Sequence, residues 1–303
     1  MDFLDKRLLV VSGKGGVGKS TVSLALGMAA ARGGKRTLVC EVSSQERASR
    51  VFGRADIGFS ETEIDDNLWA FSIDPEEALR EYVLLQIRVK AARDVLFRSK
   101  VFTYLADATP GLREMVTMGK VWELAQLDRK VKRARPYDLV IVDAPATGHG
   151  VGLLKAPKTF ADIARVGPIA SQGMQMHGML TDHAHTGAVL VSLPEEMPVN
   201  ETGMLERELT SDVGIAVDRV YLNGLYPERF SAAEGTKLEK ALATDDAPAA
   251  VRAGVFEHRR RETQTEQLDR LRHRAHAPVH TLPFIFQREL GITALQRLSA
   301  ELA

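Results

Sequence analysis

The stretch GKGGVGKST at residues 13–21 constrains this chain most, because it fixes a local structure and a class of ligand together. An apolar run at residues 7–13 leads into it, and a helical pattern at residues 21–34 follows it. The stretch matches G-x-x-x-x-G-K-[ST], a loop whose backbone amides surround phosphate oxygens at the N-terminus of a helix. Strand, loop and helix in this order predict a phosphate-binding loop.

Individual loop residues have separate predicted roles. We expect Lys19 between the β- and γ-phosphates of a nucleotide, the Ser20 hydroxyl on Mg²⁺, and Thr21 near the α-phosphate. A second lysine, Lys14, has no role in a plain phosphate-binding loop. The predicted nucleotide-binding residues of the loop are Gly13, Lys14, Gly15, Gly16, Val17, Gly18, Lys19, Ser20 and Thr21.

A second motif, DLVIVDAPATGHG at residues 138–150, supplies an acid for the same site. Four apolar residues end in Asp143, where a buried strand would leave its sheet. An aspartate in that position holds the Mg²⁺ shell in phosphate-loop proteins. We therefore predict Asp143 and Ser20 as the metal-binding residues.

Apolar runs alternate with helical patterns along the chain, which predicts a doubly wound, mainly parallel α/β sheet. Helical additions are expected at about residues 75–134 and 155–185, within a single domain spanning residues 1–303. The predicted strands cover residues 7–13, 36–42, 68–73, 137–145, 186–194, 218–225 and 278–284.

Composition excludes several classes of function. Lysine plus arginine and aspartate plus glutamate number 40 each, so the charge balance does not favour nucleic-acid binding. A single cysteine, Cys40, rules out a disulfide framework or a zinc site built from cysteines within one chain. No apolar run approaches the roughly 20 residues of a membrane span. We expect a cytoplasmic protein without direct membrane insertion.

Taken together, these motifs resemble the family of arsenite-efflux ATPases and tail-anchored-protein targeting ATPases. GKGGVGKST resembles the family's deviant Walker A motif, a variant with a signature lysine at its second position. DAPATGH resembles the family's switch II, and TGAVLVSLPEEMPVNET its strand and following helix. The resemblance spans nearly the whole chain and is greatest to the bacterial branch of anion-transporting ATPases. It implies the fold of a P-loop NTPase.

The resemblance implies a role for the extra lysine. In this family two subunits face each other across ATP and Mg²⁺, and the signature lysine touches the phosphates of the partner's site. It therefore implies that Lys14 acts in a homodimer, or in a heterodimer with a paralogous ATPase. It also implies that Asn223 reads adenine and that a loop including Pro283 and Phe284 lies against the base.

The chain departs from the family pattern where the catalytic aspartate of switch I is expected. Ser43 falls at that position, and a serine hydroxyl does not accept a proton as a carboxylate does. Glu41 is the predicted substitute, with Glu46 as another candidate. The alternative is that Glu41 and Glu46 are ordinary charges at a strand end and in a loop. The predicted catalytic residues are Lys14, Lys19, Glu41 and Asp143.

Two further segments have simple interpretations. The histidines His177, His183 and His185 match no standard metal signature, so solvated loop positions are expected. The segment at residues 173–185 is rich in methionine and, with Met115 and Met118, fits either core packing or a small groove for an apolar client helix. Core packing is the favoured interpretation.

Three functions compete. The first is a Mg-ATPase that switches a dimer between states read by a client or a membrane-protein partner. The second is a nucleotide-binding pseudo-ATPase, either the non-hydrolysing half of a heterodimer or a scaffold ordered by ATP. The third, a partitioning ATPase or nitrogenase-type reductase, is disfavoured, because cluster cysteines and a basic amphipathic tail are missing.

Overall fold

A single sheet forms the centre of the protein. The computed structural model describes residues 2–42, 47–54, 57–86, 109–129, 134–243 and 247–302, with the backbone alone at residues 85 and 86. Within these residues the strands are β1 Leu8–Ser12, β2 Thr37–Glu41, β3 Thr62–Asp65, β4 Leu68–Ser72, β5 Leu139–Asp143, β6 Thr186–Ser192, β7 Val217–Leu225 and β8 Val279–Pro283.

The sheet has the order β3-β4-β2-β5-β1-β6-β7-β8, and every neighbouring pair is parallel except β3 with β4. The predicted doubly wound, mainly parallel α/β sheet is therefore confirmed. The strand order reverses around β1, which places a ligand crevice outside its carboxyl end. All seven predicted strands are present, and β3 is an additional edge strand that the sequence did not indicate.

Helices cover both faces of the sheet. The buried helix α1 follows the phosphate-binding loop, as predicted, and begins at Lys19 rather than Thr21. The helices are α1 Lys19–Arg32, α2 Arg47–Phe52, α3 Pro75–Gln86, α4 Leu112–Leu124, α5 Thr147–Ala164, α6 Pro168–Thr181, α7 Glu196–Arg207, α8 Ala232–Leu242, α9 Ala249–Arg274 and α10 Ile292–Leu302.

Two apolar cores lie on opposite faces of the sheet because successive strand residues point to opposite faces. Leu8 and Val10 of β1 belong to the core beneath α4, α5, α7 and α9. Leu9 and Val11 belong to the core beneath α1 and α10. All four residues are fully buried, which explains why β1 is a continuous apolar run in the sequence.

Four helices overlap the two segments for which the sequence predicts helical additions. Helices α3 and α4 fall in the first addition, and α5 and α6 in the second; residues 87–108 and 130–133 lie outside the described part of the chain. Met115, Met118 and Met176 are buried, as core packing requires, and Met115 and Met176 also line a cavity between helices. No helix among the described residues is long and apolar enough to span a membrane.

Buried charges attach the first addition to the sheet. The Arg129 guanidinium, only 1% exposed, contacts the Glu61 carboxylate at 2.7 Å and the Glu123 carboxylate at 2.8 Å. The Tyr137 hydroxyl donates to Glu61 at 2.6 Å. We call Glu61, Glu81, Lys120, Glu123 and Arg129 the charged cluster, because Lys120 of α4 extends it to Glu81 of α3 at 2.8 Å.

The charged cluster makes stability depend on pH through Glu61. Partial burial would raise the pKa of the Glu61 carboxyl, but hydrogen bonds from Arg129 and Tyr137 outweigh it and lower that pKa below its ordinary value. The contribution of this carboxylate is therefore complete above its ordinary pKa. It is lost as the pH falls through the lowered value in the folded protein.

We predict that Glu61→Gln lowers the free energy of unfolding by about 1–3 kcal/mol near neutral pH, because it removes the charge that pairs with buried Arg129. The measurement is urea unfolding followed by circular dichroism, repeated between neutral and acidic pH. The difference from wild type should shrink as the acid protonates Glu61 in the wild-type protein.

The matched control is Glu63→Gln, which changes an exposed glutamate of β3. It should leave the unfolding free energy within about 0.5 kcal/mol of wild type. Equal effects of the two variants, or a Glu61→Gln deficit that does not change with pH, would contradict the role assigned to Glu61.

Candidate nucleotide site

The site is assembled by parallel strands that end at the same edge of the sheet. Asp143, the last residue of β5, is in register with Val11 of β1 on one side and Glu41 of β2 on the other. The phosphate-binding loop leaves β1 at this edge. Asp143 therefore lies beside the loop, as the two sequence motifs predicted, although they are more than a hundred residues apart in the chain.

The loop needs glycine at two positions for steric reasons. Gly13 has φ +150°, and a Cβ atom there would lie 2.3 Å from the carbonyl oxygen of Val191 on β6. Gly18 has φ +94°, and a Cβ atom there would lie 2.4 Å from Nδ2 of Asn223. The positive φ strains any other residue at both positions, and at Gly13 a side chain would also collide with the backbone of β6.

A cavity of about 230 Å³ lies between the loop and the end of β5. Whole-ligand sites typically measure about 300–1,000 Å³, so this one suits the phosphate part of a nucleotide. Its lining includes residues from the loop, from the start of α2 and from the segment after β5. These residues are Gly15, Gly16, Gly18, Lys19, Ser20, Arg47, Asp143, Ala144, Pro145 and Ala146.

The electrostatics of the cavity suit an anion bound together with a cation. The Lys19 ammonium donates to the carbonyl of Lys14 at 2.9 Å, and burial lowers its pKa. Burial raises the pKa of the Asp143 carboxyl, against hydrogen bonding from Ser20 and the charge of Lys19. A buried carboxylate of this kind is stabilised by a nearby positive ion.

The donor set fits magnesium. The Ser20 hydroxyl and the Asp143 carboxylate are hard oxygen ligands, and Mg²⁺ binds through one or two such protein groups and through phosphate oxygens. The described residues contain no group of three or more His, Cys, Asp or Glu side chains that could hold a metal by themselves. His183 and His185 are exposed, and His177 is partly buried.

Lys14 lies outside the cavity lining. Its ammonium forms an ion pair with the Glu201 carboxylate of α7 at 2.5 Å. The two side chains are 30% and 34% exposed, so the pair lies near the protein surface. The motifs do not indicate the role of Glu201, because its contact depends on how α7 packs beside the loop.

Asn223 and Phe284, the predicted base-binding residues, lie on the other side of the loop from Asp143. The side chain of Asn223 donates to the carbonyl of Val17 at 2.9 Å, so in this structure it holds the loop. Phe284 packs against Tyr226 and Phe286, with ring centroids 4.8 Å away in both cases. Tyr226 and Phe286 are thus neighbours of Phe284 that the sequence did not single out.

Glu41 is buried at the end of β2, where its Oε1 accepts a hydrogen bond from the backbone N–H of Ala48 at 3.0 Å. This bond ties the start of α2 to the sheet. Ser43 and Glu46, the other residues considered for switch I, lie outside the described part of the chain. Activation of water by Glu41 stays a prediction.

With this geometry established, comparison with known proteins identifies the family. Residues 6–176 match the model of the family described as anion-transporting ATPase. The chain belongs to the anion-transporting ATPase family. The resemblance seen in the sequence motifs is thereby confirmed, and it agrees with the α/β fold.

Relatives of this ATPase family match most of the chain. ATPase BagA of Mycobacterium tuberculosis is 31% identical over 257 residues, or 82% of this chain and 73% of that protein. A putative arsenical pump-driving ATPase of Halobacterium salinarum is 26% identical, over 98% of this chain but 44% of its own length. ATPase get3 of Neurospora crassa is 28% identical over 68% of this chain and 57% of its own length.

We predict that Asn223→Ala weakens binding of Mg-tripolyphosphate as well as Mg-ATP, because it removes the hydrogen bond to the loop carbonyl of Val17. One such bond corresponds to a loss of about 2-fold to 12-fold in affinity. Isothermal titration calorimetry with both ligands measures the effect.

Asn200→Ala, which changes a partly buried asparagine of α7 paired with Arg274, is the control and should bind both ligands as wild type does. A variant that loses affinity for Mg-ATP but not for Mg-tripolyphosphate would show that Asn223 acts on the base alone.

Proposed function

We propose that this protein is a magnesium-dependent ATPase that works as a dimeric switch. The observation that carries the proposal is the cavity in which Lys19 and Ser20 of the loop face Asp143 across the ends of β1 and β5. A phosphate-binding lysine, a hydroxyl and a buried carboxylate are the groups that nucleotide hydrolysis requires in a phosphate-loop protein. Membership of an ATPase family supports the same reaction.

In the proposed reaction a water oxygen forms a bond to the γ-phosphorus of ATP. The bond from that phosphorus to the β,γ-bridging oxygen breaks, and ADP leaves with its electron pair. The proton of the attacking water ends on phosphate or in solvent. Lys19 places positive charge against the β- and γ-phosphate oxygens, and the backbone amides of Gly15, Gly16 and Gly18 surround the phosphate chain.

Magnesium, when bound through Ser20 and Asp143, supplies charge that neutralises the phosphate oxygens. The protein's own contribution is positional. Asp143 is fixed by the sheet register, and Ser20 by the first turn of α1. Both groups are therefore held before nucleotide arrives, which lowers the entropic cost of orienting it.

Phosphate release from Mg-ATP is the first measurement. We predict turnover in the wild-type protein and a loss of at least about 100-fold in Lys19→Ala, since this removes a preorganised positive charge from the phosphates. The matched control is Lys35→Ala, a lysine beyond the far end of α1 that pairs with Asp5. Equal rates in wild type and Lys19→Ala would overturn the ATPase proposal.

Lys14 supports the dimeric part of the proposal. Its ion pair with Glu201 is partly exposed, and surface pairs of this kind contribute about 0–1 kcal/mol. The ammonium is therefore held weakly and is free to exchange Glu201 for a stronger anion. In the proposed dimer, that anion is the phosphate chain bound by the partner subunit.

We predict that mixing Lys14→Ala with Lys19→Ala restores activity that neither variant has alone. In a mixed pair the Lys14→Ala subunit keeps its own Lys19, and the Lys19→Ala subunit supplies Lys14 to that site. Random pairing of equal amounts should restore about one quarter of wild-type phosphate release, since half of the pairs are mixed and each has one complete site. Activity equal to the sum of the separate variants would show that Lys14 acts within its own subunit.

An apolar client or partner completes the proposal. A cavity of about 130 Å³ lies between α3, α4, α5 and α6, with Leu112, Met115 and Trp122 among its lining residues. Its size suits single side chains rather than a helix, which is about 10 Å across. Near it, Ile163 and Val166 are 73% and 83% exposed, so a docked segment could cover apolar surface there.

A nucleotide-binding pseudo-ATPase is the second candidate. The observation that favours it is the contact of Glu41, whose Oε1 is already engaged by the N–H of Ala48. A carboxylate used to hold a helix is less available to orient water. Under this alternative, Mg-ATP binds tightly while phosphate release stays at the level of Lys19→Ala, until a paralogous subunit restores it.

A further inference from the structure

Arg47 is a second positive group in the phosphate cavity, and the motifs do not account for it. It is the first residue of α2 and lines the cavity together with Lys19 and Asp143. Its side chain is exposed, and it belongs to no ion pair among the described residues. Among the described residues, therefore, no ion pair neutralises its charge.

Contacts with the sheet fix the position of the Arg47 backbone at the start of α2. Glu41 ends β2, and its carboxylate accepts the N–H of Ala48, the residue after Arg47. Because Glu41 is in register with Asp143, this hydrogen bond holds the start of α2 above the end of β5. The buried side chain of Ala48 packs into the core beneath α1, which fixes α2 from its other side.

The charges of the cavity are complementary to a polyanion. Burial is the main cause of the lowered pKa of Lys19, and the positive charge of Arg47 lowers it further. The positive charge of Arg47 also lowers the pKa of the Asp143 carboxyl, which favours its ionised form. Two cations that face one cavity repel each other when nothing lies between them, and an anion between them removes that repulsion.

The strand order indicates which end of a nucleotide would meet Arg47. Asn223 and Phe284, proposed to lie at the base, belong to β7 and to the segment after β8, on one side of β1. Arg47 follows β2, on the other side of β1 and beyond Asp143. A phosphate chain that starts from the base and crosses the loop at β1 therefore ends towards Arg47.

We propose that Arg47 is a catalytic residue that contacts the terminal phosphoryl group of the bound nucleoside triphosphate within its own subunit. This inference rests on the proposed function of the site and assigns it a further residue. A guanidinium binds phosphoryl oxygens through paired, charge-assisted hydrogen bonds, and it stabilises the charge that develops on them during transfer. Arg47 therefore distinguishes a triphosphate from a diphosphate.

The test compares binding of Mg-ADP with binding of a magnesium complex of a non-hydrolysable ATP analogue. Arg47→Ala should lose about 10-fold to 100-fold in affinity for the triphosphate analogue and less than about 3-fold for Mg-ADP. Arg47→Lys should lie between wild type and Arg47→Ala, because an ammonium keeps the charge but not the paired geometry. Phosphate release should fall in the same order.

Arg50→Ala is the matched control. Arg50 lies on the same six-residue helix and is also exposed, but it does not line the cavity. It should bind both nucleotides as wild type does. Thermal unfolding of all three variants without nucleotide checks the fold, and Arg47→Lys keeps the comparison valid if Arg47→Ala unfolds.

The outcomes separate this inference from the proposed function. Wild-type protein that binds neither nucleotide more tightly than Lys19→Ala does would overturn both. Tight wild-type binding with Arg47→Ala equal to Arg50→Ala would overturn the inference alone. Equal losses for the diphosphate and the triphosphate would also overturn it, because they would place Arg47 away from the terminal phosphoryl group.

Discussion

The parallel register of the central strands is the constraint on which the site depends. Each parallel neighbour of β1 ends at the same edge, so Asp143 meets the loop after β1 and lies next to Glu41 of β2. The close approach of Gly13 to Val191 fixes the loop against β6 in the same way. A shift of one residue in β5 would turn the Asp143 side chain to the opposite face of the sheet and remove it from the cavity.

Most of the fold was predictable because its strands are buried on both faces. The fully buried runs of β1, β2, β5 and β6 appear in the sequence as continuous apolar segments, which helices rarely show at such short length. Strand β3 was missed for the opposite reason. It is an antiparallel edge strand in which Ile64 alone is buried, so the sequence TEID carries almost no apolar signal.

The positions of the candidate site residues were predictable where a motif fixes both the residue and its backbone. Lys19, Ser20 and Asp143 lie together in the cavity as expected. Contacts that depend on tertiary packing were not predictable. Arg47 reaches the cavity because Glu41 holds the N–H of Ala48, and Glu201 reaches Lys14 because α7 packs beside the loop. Glu201 lies within the stretch at residues 186–202 that resembles the family, but that resemblance does not indicate its contact with Lys14.

The two kinds of ion pair in this protein respond differently to ionic strength. The charged cluster is built around Arg129, which is almost inaccessible to solvent, so dissolved ions screen it poorly. The pair between Lys14 and Glu201 is about one-third exposed and is therefore weakened by salt at physiological concentration. Added salt thus weakens the pairing of Lys14 with Glu201 while the helical addition stays attached to the sheet. The ionic composition of the surroundings acts on the loop separately from the scaffold that supports it.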